Sequence, residues 1–107
     1  MYWKSILILI SIKIKMLNPP SHLPIDVYQK LLPIFLDEIN ADFKLLKNNH
    51  VANNWQEVKR LSHKINGSAS SYGAIEVQKE AAIIENSDEK NIDLNRKAVS
   101  RMEIAIE

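Results

Sequence analysis

The sequence predicts an all-α chain: an antiparallel up-down four-helix bundle with a short extra N-terminal helix or extension. Three observations predict it. Apolar residues recur at spacings of three and four through most of the chain after residue 25. The links between these stretches are short, and short links between amphipathic helices make neighbours antiparallel. Two glycines and four prolines in 107 residues are too few for a fold of many tight turns.

Residues 1–24 read as an N-terminal extension and Pro-rich linker, and residues 25–107 as one helical domain with a single core. The run SILILISI at residues 5–12 is shorter than the roughly 20 apolar residues a membrane span needs. Lys4 is the only early charge, and Lys13 and Lys15 followed by Pro19-Pro20 fit a signal peptide badly; Met16 is a candidate functional start. Alternating isoleucines from Ile6 to Ile14 would suit a strand, but nothing else in the chain offers it a partner.

Asn18 to Pro24 holds three prolines and reads as a turn or linker. Asp26 is the expected N-cap of a first helix containing Val27, Leu31 and Leu32. Pro33 is expected to end or kink it, because proline supplies no backbone N–H. A second stretch from Pro33 to Lys47 places Phe35, Leu36, Ile39, Phe43 and Leu46 on one face. A polar connection follows, from Asn48 to Asn54.

Asn54 with Glu57 three residues on has the pattern of an N-cap and capping box. The helix it opens carries Val58, Leu61, Ile65, Ser68 and Tyr72, with Ala69 beside them. At about 100° per residue these fall in a stripe roughly 80° wide, and His63 points about 160° from its centre. Gly73 is the expected C-terminal stop. Ala74 to Asn86 forms the next helix, with Val77, Ala81 and Ile84 inward. After a polar turn from Ser87 to Asn91, Asp93 is the expected cap of a last helix. Leu94, Ala98, Met102 and Ala105 face inward there, and Arg96, Lys97 and Arg101 outward.

Composition narrows the chemistry. There is no cysteine, hence no disulfide, no thiolate nucleophile and no cysteine-bound zinc. The histidines at 22, 50 and 63 have no metal-ligand spacing, so no metal site is expected. Residues 26–107 carry 11 basic and 13 acidic residues, a balance of −2, which does not suit a nucleic-acid binder.

His63 is therefore the chemical candidate. Gly67 lies one turn later on its face, where glycine costs about 1 kcal/mol against alanine in a helix interior. The missing side chain would give a partner room to approach. Lys59, Arg60 and Lys64 surround the ring with positive charge suited to an acidic partner surface. Ser68, Ala69, Ser70 and Ser71 are small, which lets the helix pack closely while the histidine stands clear.

These residues resemble the histidine-containing phosphotransfer (HPt) family. The resemblance rests on His63, Ile65, Gly67, Ser68, Ala69, Gly73 and Ala74, and extends to Val77, Ala81, Ile84 and Glu85 and to Leu31, Leu32, Phe35 and Glu38. It covers roughly residues 26–107. What it implies is a phosphoryl carrier in a two-component phosphorelay, with His63 the acceptor, rather than a self-contained enzyme. The group would pass between aspartates of receiver domains, belonging to response regulators or hybrid kinases. Lys59, Lys64, Asn66 and Gly67 would support the acceptor, and Arg60 and Ser70 would meet the partner. The chain itself would bind no cofactor, the Mg²⁺ being the receiver's. A monomer in the cytoplasm, without nucleic acid or membrane, is the expected setting.

Asn66 departs from the family pattern, which has a lysine three residues after the histidine. Its amide can donate a hydrogen bond but brings no charge, and Lys59 is the expected partial substitute. Two other readings keep the bundle without the chemistry. One is an HPt-like adaptor that docks signalling partners unphosphorylated, favoured by Asn66. The other is a plain interaction bundle, membrane-attached through residues 5–12.

Overall fold

A computed structural model describes residues 21 and 23–106. The expectations for residues 1–18, strand, anchor or leader, lie outside the described residues. Among those described, four helices follow one another: α1 (Ile25–Val51), α2 (Trp55–Tyr72), α3 (Ile75–Asn86) and α4 (Ile92–Ile106). The helical bundle expected from the apolar spacing is the observed architecture.

Pro33 neither ends nor breaks α1, which runs through it for 27 residues. The short first helix and the stretch after Pro33 are one element. Proline withdraws the N–H that would bond the carbonyl of Gln29, a defect of about 3 kcal/mol in a helix interior. Pro33 sits on the exposed side, while its neighbours Leu32 and Phe35 are buried in the core. Burial on both sides of the defect outweighs it. Asp26 is not the cap: the helix starts one residue earlier, after Pro24, whose carbonyl accepts the Tyr28 N–H at 3.0 Å. Asp26 lies in the first turn, where its charge complements the helix dipole. At the other end α1 reaches Val51, so the connection to α2 shrinks to Ala52–Asn54. Asn53 turns the chain there with φ 60°, a conformation asparagine tolerates better than most residues.

α2 begins where expected, but the capping box does not form. Asn54 makes no side-chain cap bond and donates instead to Asn49 Oδ1 at 3.2 Å. Glu57 is taken by Arg60, one turn on, through contacts of 2.8 to 3.1 Å. The helix ends at Gly73, φ 72° and ψ 24°, in the left-handed region that glycine enters without penalty. The Ala74 N–H reaches Ala69 O at 2.9 Å and the Gly73 N–H reaches Ser70 O at 3.3 Å. That pair of bonds is a Schellman closure.

The core is built from Tyr28, Leu32, Phe35, Ile39 and Leu46 of α1 and Val58, Leu61, Ile65 and Ala69 of α2. Val77, Ala81 and Ile84 of α3 and Ala98, Met102 and Ala105 of α4 join it, with Phe43, Ala74, Val99 and Ile106 at its margins. Two inward positions differ from expectation. Ser68 stays partly exposed while Ser62 is fully buried, its hydroxyl donating to Val58 O at 2.7 Å. Leu94 is partly exposed and Asn95 takes the buried place, in the stripe of Ala98, Val99 and Met102; α4 starts at Ile92, with Asp93 in its first turn rather than at its cap. Asn95 closes the preceding turn through Ser87 and the Asp88 carbonyl.

Polar contacts join successive helices. Asp42–Lys64 and Glu38–Ser68 link α1 to α2 in opposite chain order, as in an antiparallel pair. Glu80, buried on α3, is held by Arg101 of α4 at 2.7 Å. The Tyr28 hydroxyl donates to Tyr72 O at 2.7 Å, and Phe35 stacks on Tyr72 with centroids 4.5 Å apart.

Candidate functional site

His63 lies midway along α2 on the side away from Val58, Leu61, Ile65 and Ala69, and 79% of its side chain is exposed. The outward placement follows from local periodicity: residues 61, 62 and 65 are buried, which sends residue 63 to the opposite side. Its Nδ1 is hydrogen-bonded to the Glu85 carboxylate of α3, and no described residue bonds Nε2. Glu85 in turn accepts from Asn66 Nδ2 at 3.1 Å on its other oxygen. One carboxylate thus bridges two residues of α2, each oxygen to its own partner. Asn66 first and then His63 hold the Glu85 carboxyl below its ordinary range, with smaller help from the charge of Lys59.

The cations around the ring are less available than their sequence positions suggest. Lys64 turns to α1 and donates to Asp42 Oδ1 at 3.0 Å. Arg60 is engaged with Glu57. Lys59 is exposed and makes no ion pair with a described residue. Asn66 is turned onto Glu85 rather than held free beside the ring. Gly67 borders open space: a Cβ added there meets nothing within 4 Å. Ser70 is exposed on the same side, one turn after Asn66.

The structure therefore brings His63 and Asn66 together through Glu85, leaves Gly67 and Ser70 open beside them, and commits Lys64 and Arg60 elsewhere. Sequence reasoning missed the contact with Glu85, because the register of one helix against the next, which joins residues 22 apart here, leaves no periodic trace. Asp42 was also missed, although its position between Ile39 and Phe43 on the buried stripe was a legible signal. It is 4% exposed, and its Oδ2 has no hydrogen-bond partner among the described residues. Among the described residues there is no group of three side chains that could hold a metal ion.

A family model described as the Hpt domain matches residues 30–107. The chain belongs to the Hpt domain family. Neither a curated protein nor a solved structure matches it. Membership carries the general role of an Hpt domain, histidine phosphotransfer in a phosphorelay, and with it interaction with receiver domains. The match spans all of α2, α3 and α4 to Ile106 and most of α1. Among the described residues, no helix of this Hpt domain is long and apolar enough to cross a membrane.

Proposed function

We propose that this Hpt protein carries a phosphoryl group on Nε2 of His63, between an aspartyl phosphate of one receiver domain and the aspartate of another. The observation that carries the reading is the exposed ring itself, with Nδ1 engaged by Glu85 and Nε2 left without a described partner. A neutral imidazole with one protonated nitrogen has its lone pair on the other. Hydrogen bonding at Nδ1 selects Nε2 as the nucleophile.

Transfer of this kind depends on positioning and on neutralising charge rather than on covalent help from the surroundings. Here the helix holds the ring, and the open surface at Gly67 admits a second protein. Ile34 and Leu45 of α1 share a helical stripe with Glu38, which bonds Ser68 of α2. They are 61% and 51% exposed and form the apolar flank of the docking face. Arg60 and Ser70 supply its polar part. The divalent cation arrives with the receiver, as does most of the catalysis. The working place of such a carrier is the cytoplasm, as a monomer between transfers.

Incubation with a phosphorylated receiver tests the reading. The expected result is an acid-labile, base-stable label that His63→Gln abolishes. Label persisting in that variant would move the site elsewhere, and a protein that docks a receiver but takes no label would be an adaptor.

A further inference from the structure

We propose that the receiver's footprint runs from His63 along the groove between α2 and α3 to the end of the bundle, where Trp55, with Val51 and Ile92 beside it, is an apolar anchor that tells one receiver from another. The proposal rests on the carrier reading above and gives the same site a second docking flank. That flank lies on the α3 side of the ring, to which Asn66 turns, away from the α1 side, to which Lys64 and Ser68 turn.

Trp55, Lys59 and His63 are spaced by four residues and lie along one ridge of α2, with Trp55 about 12 Å from His63 along the axis. Glu85, which is bonded to His63, is followed at once by Asn86. Asn86, Asp88 and Glu89 face Trp55, Gln56 and Lys59 across an open cleft of about 620 Å³. The two walls that meet at His63 and Glu85 therefore continue into this cleft. Trp55 and Glu89 also border a second cleft, of about 360 Å³, which Val51 and Ile92 line as well. Val51 and Ile92 are 76% and 60% exposed, two of the three most exposed large apolar side chains among the described residues. The third is Ile34, on the other flank. Trp55 is partly buried and packs against the core, which fixes its ring at the boundary of the two clefts.

A receiver is the occupant that fits. A stable contact covers about 800 Å² on each partner, a patch roughly 30 Å across. A domain centred on His63 is wide enough to reach Trp55. Tryptophan set in a packed surface carries a large share of binding energy in such contacts. The charges on the way are unclaimed: Lys59, Asp88 and Glu89 form no ion pair with a described residue. The groove thus asks for a carboxylate toward Lys59, then a cation toward Asp88 and Glu89, and an apolar side chain against Trp55. The first of these lies beside the reacting aspartate and is common to receivers. The other two lie farther out, where receivers are free to differ, and these set the choice of partner.

The test uses the whole chain, a set of receiver domains phosphorylated with acetyl phosphate, and phosphoramidate as a small donor that needs no docked protein. Val51→Glu and Ile92→Glu alter exposed rim residues outside the core, and Trp55→Ala removes the anchor. Labelling by each receiver is divided by labelling with phosphoramidate, so that any loss of folded acceptor cancels. For the best receiver this ratio is expected to fall at least about tenfold in all three variants. The fall should come through a higher half-saturating receiver concentration rather than a lower maximal rate, and the spread among receivers should narrow. A ratio unchanged in both rim variants overturns the proposal alone and leaves docking to the α1 flank. A wild type that sediments as a dimer, and as a monomer after Ile92→Glu, gives the patch to a second copy and likewise overturns it. A wild type that no receiver labels overturns the carrier reading and this proposal with it.

Discussion

Nδ1 of His63 on α2 and the carboxylate of Glu85 on α3 share a hydrogen bond between residues 22 apart in the chain. The same carboxylate is steadied by Asn66, one turn further along α2. Which edge of the ring stays unbonded to described residues is thereby chosen by a neighbouring helix, while the exposure of the ring is chosen by α2 alone. Separating these two causes makes the site open to mutation one feature at a time.

Asn66→Lys is the sharpest substitution. From the sequence alone, the change is expected to speed transfer by restoring charge beside the ring. Side chain 66 faces Glu85, however, so the ammonium would form an ion pair with that carboxylate and compete with His63 for it. The expected outcome is a weaker Nδ1–H preference and transfer slowed several-fold, on the order of the 1 kcal/mol of one hydrogen bond. Nitrogen-15 shifts and a single-turnover transfer assay measure the two effects; faster transfer would restore the simpler view.

Gly67 separates folding from docking. A Cβ there enters open space, so Gly67→Ala should raise stability by about 0.5–1 kcal/mol through helix propensity. Gly67→Trp should fold equally well yet slow transfer at least about tenfold, the equivalent of about 1.4 kcal/mol of lost docking or alignment. Urea unfolding and the transfer assay, run on both variants, distinguish the roles. A tryptophan variant with wild-type transfer would remove the clearance argument.

Lys64 is assigned to structure rather than to the phosphoryl group. It is the one described partner of Asp42, which is 96% buried by residue area and whose other oxygen has no partner among the described residues. Lys64→Ala should lower unfolding stability by about 1–2 kcal/mol, a figure reduced because the lysine is half exposed. Adding Asp42→Asn should recover part of that loss. Phosphoryl transfer by the folded fraction should change little, and a large specific loss of transfer would return Lys64 to the site.

Tyr28 ties the start of α1 to the end of α2. Burial first, and then the nearby Tyr72, push its hydroxyl up to about 12 from 10.0. The protonated form is favoured in the folded state, so this contribution is complete below pH 10 and is lost as pH rises from about 10 to about 12. Tyr28→Phe removes the bond to Tyr72 O, should cost about 1 kcal/mol at neutral pH, and should flatten that alkaline decline. Unfolding curves at pH 7 and across pH 9–12 provide the check.

Local and tertiary causes in this protein divide along a physical line. Helical stripes, the outward angle of His63 and the stop at Gly73 depend on the 3.6-residue repeat or on one residue's backbone freedom, so neighbouring residues suffice to specify them. Whether Pro33 interrupts α1 and which residue fills the buried place at the start of α4 were decided by burial against other helices, and the side-chain cap of α2 was lost to competing contacts of Asn54 with Asn49 and of Glu57 with Arg60. The immediate company of the imidazole belongs to the second kind. Lys59, Arg60 and Lys64 are all near His63 in the chain, but two of them find carboxylates elsewhere, and the ring finds Glu85. By itself the sequence determined that a histidine is presented on a helical bundle; the tertiary structure decided which of its nitrogens faces outward, because that depends on how α3 lies against α2.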